Sequence, residues 1–363
     1  MIKSLMVDVE KYDYIYILKG FAILAVIAVH FNQSFLAPNA ILKIIAGFGM
    51  HGVQLFFILS SFLLWRSLSR YESGSSLGVM PFYKKKLIRL LPLYFFALVV
   101  YTIYHVIQGE GVSLLSLGLH VSLVNGLFPN YINDIMGIEW YIADLIILYV
   151  LSPYLFRIII DLKTAITASL LSLVIAFIIQ CLFLHFVHIG FVHSDYRIDL
   201  FFSMLGFFVQ LPCMLLGVVF YFLFRNNNIN FKKGVTIYVI SSVLIIVLSL
   251  FIQELCGVAF VSNTTIWAFI FGGVMMLYRK YFSQNTVLHV VTNPLLVLGK
   301  HSYGVYLFHF VIIRIISRYF FFEKDLHVAG WLFLYIAISF MSLVIGGSLE
   351  ILEKKTRKIL IKG

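Results

Sequence analysis

Apolar runs of about 20 residues recur from one end of this sequence to the other, each long enough to cross a bilayer core of roughly 30 Å as a helix. In lipid, the backbone polar groups of such a run must be satisfied within the segment itself, and the α-helix is the element that does so. The 363 residues are 61% hydrophobic and 12% charged, about half the charge of a soluble domain. The expected fold is therefore an all-α, polytopic membrane helix bundle. The first run begins near Tyr14, contains Lys19, and is too long to be a cleaved signal peptide. Cys181, Cys213 and Cys256 lie in apolar segments without a CxxC spacing, which suggests neither a disulfide framework nor a metal site. The net charge of +11 has to be read against the membrane, and no nucleic-acid partner is implied.

The spacing predicts about ten spanning helices, at 14–36, 47–67, 88–108, 138–160, 164–187, 199–224, 234–254, 263–281, 298–320 and 330–351. The apolar stretch 112–128 is short and interrupted by Gly118, His120, Asn125 and Gly126. It is expected to be an interfacial or re-entrant helix that does not span. With both termini in the cytoplasm, all of the 27 basic residues except Lys43, Arg197, Arg314, Arg318 and Lys324 fall on the inner side. That asymmetry obeys the positive-inside rule, and an eleventh span at 112–128 would spoil it. With no repeat, low-complexity segment or separate soluble domain in view, residues 1–363 read as a single membrane domain.

Four polar constellations interrupt the apolar background. In Tyr16–Ser34, Lys19 and His30 are eleven residues apart, about three helical turns, so they share a face roughly 16 Å apart along the axis. An ionisable residue inside a span is a functional candidate, although His30 alone could simply bond a neighbouring helix. The loop Arg66–Arg89 contains the small-residue stretch Ser73–Ser76 and ends in Phe82–Tyr94, where Lys84, Lys85, Lys86 and Arg89 are interleaved with Tyr83 and precede Pro92. The cluster suits either anionic lipid headgroups or the phosphates of a cofactor held on paired guanidinium donors. Next, Gly137–Pro153 carries Glu139, Trp140 and Asp144; Asp144 should face the bundle interior, as a partner of a buried cation or to orient a histidine or a sugar hydroxyl. Finally, Leu298–Arg314 carries Lys300, His301, Ser302, Tyr303, Tyr306 and His309, of which 302, 306 and 309 share a face. Together with His30 this stripe suggests the lining of an internal cavity.

These blocks resemble the acyltransferase family 3 membrane proteins, which O-acylate bacterial cell-surface glycans. The family's Arg-Gly pair with a histidine eleven residues on corresponds to Lys19, Gly20 and His30. Its GVxLFFxxSGFLL block corresponds to Gly52 through Leu64, and its FYxxRxxRxxPLY block to Phe82 through Tyr94, with Arg89 on the second arginine. A W-aromatic-L helix start that ends in proline corresponds to Trp140 through Pro153, and LGxxSYxxYLxH to Leu298 through His309. The matches are in order and cover nearly the whole chain. Four departures stand out: the motif arginine is Lys19, the acid three positions earlier is Tyr16, the usual glycine is Ser61, and Lys86 stands where arginine is frequent. Many members carry a glutamate at the position of Leu145, for which Asp144 is an approximate substitute.

The resemblance implies a membrane O-acetyltransferase of the bacterial inner (cytoplasmic) membrane. It would move acetyl from cytoplasmic acetyl-CoA to a sugar hydroxyl of an O-antigen, lipopolysaccharide or similar lipid-linked glycan. His30 is then expected as general base or transient acyl carrier, with Asp144 as its catalytic partner. Lys19, Tyr83, Lys84, Lys85, Lys86 and Arg89 are expected to bind the acyl-CoA, and Glu139, Trp140, Ser302, Tyr303, Tyr306 and His309 the acceptor. No metal is expected. Two alternatives stay open: succinyl-CoA at the same site, and a transporter of polyprenol-linked glycan, which would show inverted repeats and broken helices.

Overall fold

The computed structural model describes residues 2–72, 79–193, 195–225, 230–282, 292–319 and 326–362. Ser73–Ser76 lie outside them. All regular elements among the described residues are helices: α1 (Ile2–Ser34), α2 (Ala40–Phe48), α3 (Gly52–Glu72), α4 (Val79–Ile107), α5 (Leu114–Val121), α6 (Trp140–Ile158) and α7 (Leu162–His188). They continue with α8 (Tyr196–Leu200), α9 (Phe207–Arg225), α10 (Phe231–Cys256), α11 (Asn263–Phe282), α12 (Asn293–Lys300), α13 (Ser302–Tyr319) and α14 (Val328–Lys362).

Eight of these helical stretches are long and apolar enough to cross a membrane, and α12 with α13, bent by 84° at their junction, passes the same test only as a pair, as a broken span or a re-entrant loop. The sequence predicts ten. The difference lies in α11, whose 20 residues would span about 30 Å but are diluted by Asn263, Thr264, Thr265, Arg279 and Lys280. The predicted straight span 298–320 is instead broken at His301, where the backbone leaves the helical basin (φ −111°, ψ 13°). The expected short helix in 112–128 is α5, capped by the Ser113 side chain, which accepts from the Ser116 amide.

The bundle is built around α1, which packs on α3, α12 and α13. Glycines make this possible. A Cβ at Gly299 would run into the carbonyl oxygen of Tyr16, and one at Gly20 into that of Leu295. Close backbone approach through small residues substitutes for a hydrophobic drive that is absent between helices in lipid. The Lys19-Gly20 and Gly299-Lys300 pairs are thus two sides of one crossing. By contrast α10 lies at the periphery and exposes Ile240, Leu244, Leu248 and Phe251, as a helix apolar all round does in lipid.

One boundary matters for function. The sequence places Lys84–Lys86 in a loop before a helix at 88, but α4 already begins at Val79 and holds Pro92 in its interior. A proline is tolerated there because neighbouring helices re-satisfy the freed backbone. The lysines therefore point around a helix, about 100° apart.

Candidate active site

Lys19, Lys86, Arg89 and Lys300 converge on one cavity of about 80 Å³, also lined by Ser60, Tyr141, Tyr149, Ser302, Tyr303, Tyr306 and Glu350. Positions 86 and 89 share a face of α4 because they are three residues apart. The neighbouring lysines do not join them. Lys84 and Lys85 instead line a groove between α4 and α14, which Arg89 also borders, with Pro81, Pro92, Leu349 and Glu353. Glu350, the one acidic residue on the cavity wall among the described residues, is bonded to Lys354 at 2.6 Å, and Lys300 lies 3.7 Å from Asp13. Among the described residues Lys19, Lys86 and Arg89 form no ion pair, so the cavity presents cations in excess to whatever enters it.

The tyrosines of this wall are fixed by main-chain acceptors. Tyr303 donates to the Leu90 carbonyl (2.7 Å) and Tyr306 to that of Ile138 (2.6 Å), while Tyr141 pairs with Ser60 (3.0 Å). Tyr83 is held similarly on the Val150 carbonyl at 2.6 Å. Trp140 packs edge-on against Phe57, with centroids 6.0 Å apart. Neither Tyr83 nor Trp140 is on the cavity wall.

Beyond Tyr306 lies a histidine pair. The rings of His30 and His309 are 5.3 Å apart, and His309 is 5.8 Å from Tyr306. Phe56, Tyr141 and Tyr306, mutually 5.2–6.3 Å apart, line the cationic cavity, and of the three Tyr306 also reaches His309. The tautomers follow from the partners, since an oxygen without a hydrogen can only accept. His309 Nδ1 donates to the Tyr306 carbonyl at 2.7 Å, and its buried Nε2 has no hydrogen-bond partner among the described residues. His30 Nδ1 donates to Gln33 Oε1 at 3.0 Å, which leaves its Nε2 lone pair available in the neutral ring. The pair presents two basic nitrogens, and orientation of one ring nitrogen through the other is the usual device for a catalytic histidine.

Gln33 was absent from the sequence-based site, although its spacing of three from His30 on one helix could have suggested it. Asp144 does not take that place. It is wholly buried, and neither carboxylate oxygen has a hydrogen-bond partner among the described residues, so it does not bond His30. Position matters as well: His30 falls in the last third of the span Tyr12–Ser34, away from its middle. Phe310 (4.6 Å) covers the His30 ring and in turn carries the Arg314 guanidinium at 4.3 Å.

The segment between α5 and α6 closes this end of the site. Gly137 (φ +81°) packs on Phe310 and Arg314, a left-handed conformation that favours glycine. Glu139, expected at the acceptor, is fully buried inside this segment instead. Its Oε1 accepts from the amides of Ile135 (2.8 Å) and Met136 (3.0 Å), its Oε2 from Ile138 (2.9 Å), and His120 Nε2 is 3.2 Å away. Burial alone would raise the Glu139 carboxyl, but His120 and the amides hold it below the ordinary range. Burial pushes the neighbouring Asp134 upward despite its hydrogen bond from Ser116. For His120, burial opposes the imidazolium, and Glu139, the Ser116 carbonyl and Asp134 more than offset it, so the ring sits above its usual value.

A protein family described as Acyltransferase domain matches residues 12–350. The O-acetyltransferase OatA of Staphylococcus aureus, in strains NCTC 8325 / PS 47, COL and MRSA252, is 23% identical to this chain over 331 residues. The alignment takes in 84% of this chain and 51% of each of these proteins, so the chain spans about half the length of the curated relatives it matches. No solved structure matches.

Proposed function

This chain belongs to the acyltransferase family whose domain covers residues 12–350, and on that premise we propose that it is a bacterial inner-membrane O-acetyltransferase acting on a cell-surface glycan. The donor is acetyl-CoA and the acceptor a sugar hydroxyl of a lipid-linked or surface polysaccharide of the O-antigen or lipopolysaccharide kind. The observation that carries the reading is the His30–His309 pair with two bare Nε2 atoms beyond a cavity lined by Lys19, Lys86, Arg89 and Lys300.

The cationic cavity supports binding of the CoA phosphates, with the Arg89 fork as the bidentate donor and the lysines as point charges. The acyl-bearing arm then extends along α1 past Tyr306 toward His30, roughly 16 Å from Lys19. There the acceptor oxygen attacks the thioester carbonyl carbon while His30 Nε2 takes its proton. The C–S bond breaks, and the departing CoA thiolate recovers that proton from His30. Gln33 keeps the ring in the tautomer that can accept a proton. The place of His30 toward the far end of α1 suits an acceptor that arrives from the extracytoplasmic side. One observation favours the transporter reading, since α12–α13, taken as one span, is broken, as helices that line transport sites are.

The deciding experiment is NMR of the surface polysaccharide from cells carrying the wild-type chain, His30→Ala or no chain. An O-acetyl signal present with wild type and absent from the other two supports the proposal. Acetylation equal in all three, with polysaccharide export lost in the absence of the chain, overturns it in favour of transport.

A further inference from the structure

His120 on α5, Asp134 in the following loop and Glu139 at the start of α6 bring three ligand atoms within 4.8 Å of one another, on a segment that the acyl-transfer chemistry does not use. The His120 ring is wholly buried and donates from Nδ1 to the Ser116 carbonyl at 2.8 Å. In the neutral ring Nε2 is therefore a lone pair. It points at Glu139 Oε1 (3.2 Å) and Asp134 Oδ1 (3.5 Å), two atoms that also accept. Asp134 Oδ1 is buried with no hydrogen-bond partner among the described residues.

Two features select a cation over a proton. The 3.2 Å separation lies at the outer limit of an N–H···O bond and the 3.5 Å one beyond it, and both exceed the about 2.7–2.9 Å of a charge-assisted pair. The edges of a tetrahedron with metal–ligand bonds of about 2.0–2.2 Å are about 3.3–3.6 Å, which the two separations approach. A divalent ion beside a neutral ring neutralises the two carboxylates in their ionised forms. The basic residues that touch this loop do not supply the missing charge. Arg197 bonds the Asn130 carbonyl and Arg314 lies on Phe310 beside Gly137, and neither pairs with Asp134 or Glu139 among the described residues. His105 is bonded to the Ile135 carbonyl and to Glu110.

We propose that His120, Asp134 and Glu139 form a divalent-cation site, with zinc best suited to the donor set and spacing, which pins the α5–α6 segment over the His30–His309 pair. The surroundings are those of a built site. The His120 Nδ1–H on a carbonyl and the Ser116 hydroxyl on Asp134 Oδ2 (2.6 Å) orient two of the ligands from outside, as second-shell partners of metal ligands do. Glu139, with two amides on Oε1 and one on Oε2, keeps its free lone pair on Oε2. Three protein ligands leave a fourth position open. The connection to the histidine pair runs through Gly137 against Phe310 and through the Tyr306 hydroxyl on the Ile138 carbonyl.

The test is zinc titration of the purified full chain in lipid nanodiscs, followed by calorimetry, with cobalt substitution read by visible absorption. One equivalent of zinc per chain and a tetrahedral cobalt spectrum are expected, both lost in Asp134→Asn and in His120→Ala. Ser116→Ala, which removes only an orienting bond, should weaken zinc binding roughly 10–100-fold. Thermal unfolding guards against misfolded variants: a chelator should lower the wild-type midpoint and leave Asp134→Asn where it is. Absence of stoichiometric zinc binding to the wild type, or binding undiminished in both ligand variants, overturns the proposal. A chelator-insensitive wild type that His120→Ala nevertheless destabilises also overturns it, in favour of a buried imidazolium latch.

Discussion

His30 and Gln33 form a unit on a single helix, with the amide of Gln33 deciding which nitrogen of His30 is basic. Removal of the base should cost at least about 100-fold in transfer rate, the usual worth of a positioned general base being roughly 10²–10⁴. Gln33→Ala should lower kcat with little change in KM for acetyl-CoA, because it disturbs the ring and not the donor site. Gln33→Glu keeps an acceptor at that position and should recover part of the loss; equal damage from both substitutions would remove Gln33 from the scheme. Arg89 behaves differently, since it lines the cationic cavity, whose lining includes neither His30 nor His309. Loss of hydrogen bonds to a charged group of about 1.5–3 kcal/mol predicts that Arg89→Ala raises KM for acetyl-CoA about 10–100-fold with kcat nearly kept. Arg89→Lys should lie between the two, because lysine keeps the charge and loses the fork. Steady-state kinetics in nanodiscs separates these outcomes.

At the scale of elements, helix crossings are set by glycine more than by large side chains. Gly304 of α13 and Gly346 of α14 lie backbone to backbone, and a Cβ on either would clash with main-chain atoms of the other. Gly304→Val should therefore destabilise the protein by roughly 1–3 kcal/mol, the cost of overpacking a close interface. Gly47 lies in α2 with open space where its Cβ would be, so Gly47→Ala should not destabilise the protein and should add up to about 1 kcal/mol through helix propensity. Thermal denaturation in detergent, monitored on both variants, tests the comparison. The same reasoning explains why Lys19 and Lys300 flank glycines: the α1–α12 crossing brings two cations to one cavity by bringing two backbones together.

For the whole molecule, the number of crossings fixes which side meets the donor and which the acceptor. With α11 counted as a crossing beside the eight spans and the bent pair, the number is even, and α1 begins and α14 ends on the same side of the membrane. Cysteines placed singly at Glu110, Lys163, Glu254 and Lys280 in a background lacking the native thiols test this arrangement. Impermeant maleimide should label positions 110 and 254 in intact cells, and positions 163 and 280 only after permeabilisation. Labelling of Lys280→Cys from outside would mean that α11 does not cross, and the side assigned to α12 and all later elements would have to be reversed.

The helical membrane bundle was legible in the sequence because hydrocarbon admits so few backbone structures that apolar runs alone decide the class. His30, Lys19, Arg89 and the Ser302–His309 stripe were legible for a related reason, since polar groups stand out where lipid penalises them. The role of Gln33 needed only the helical repeat. What tertiary structure alone decided was who meets whom. Helical phase turned Lys86 and Arg89 into the cavity and Lys84 and Lys85 away from it. The break at His301 laid α12 across α1. Glu139, beside Trp140 in the sequence, was folded into its own amide nest with His120, nineteen residues distant. Such pairings depend on chain reversals and close approaches between segments, for which linear spacing carries no signal. Lipid solvation selected the helices, and packing between them assembled the site.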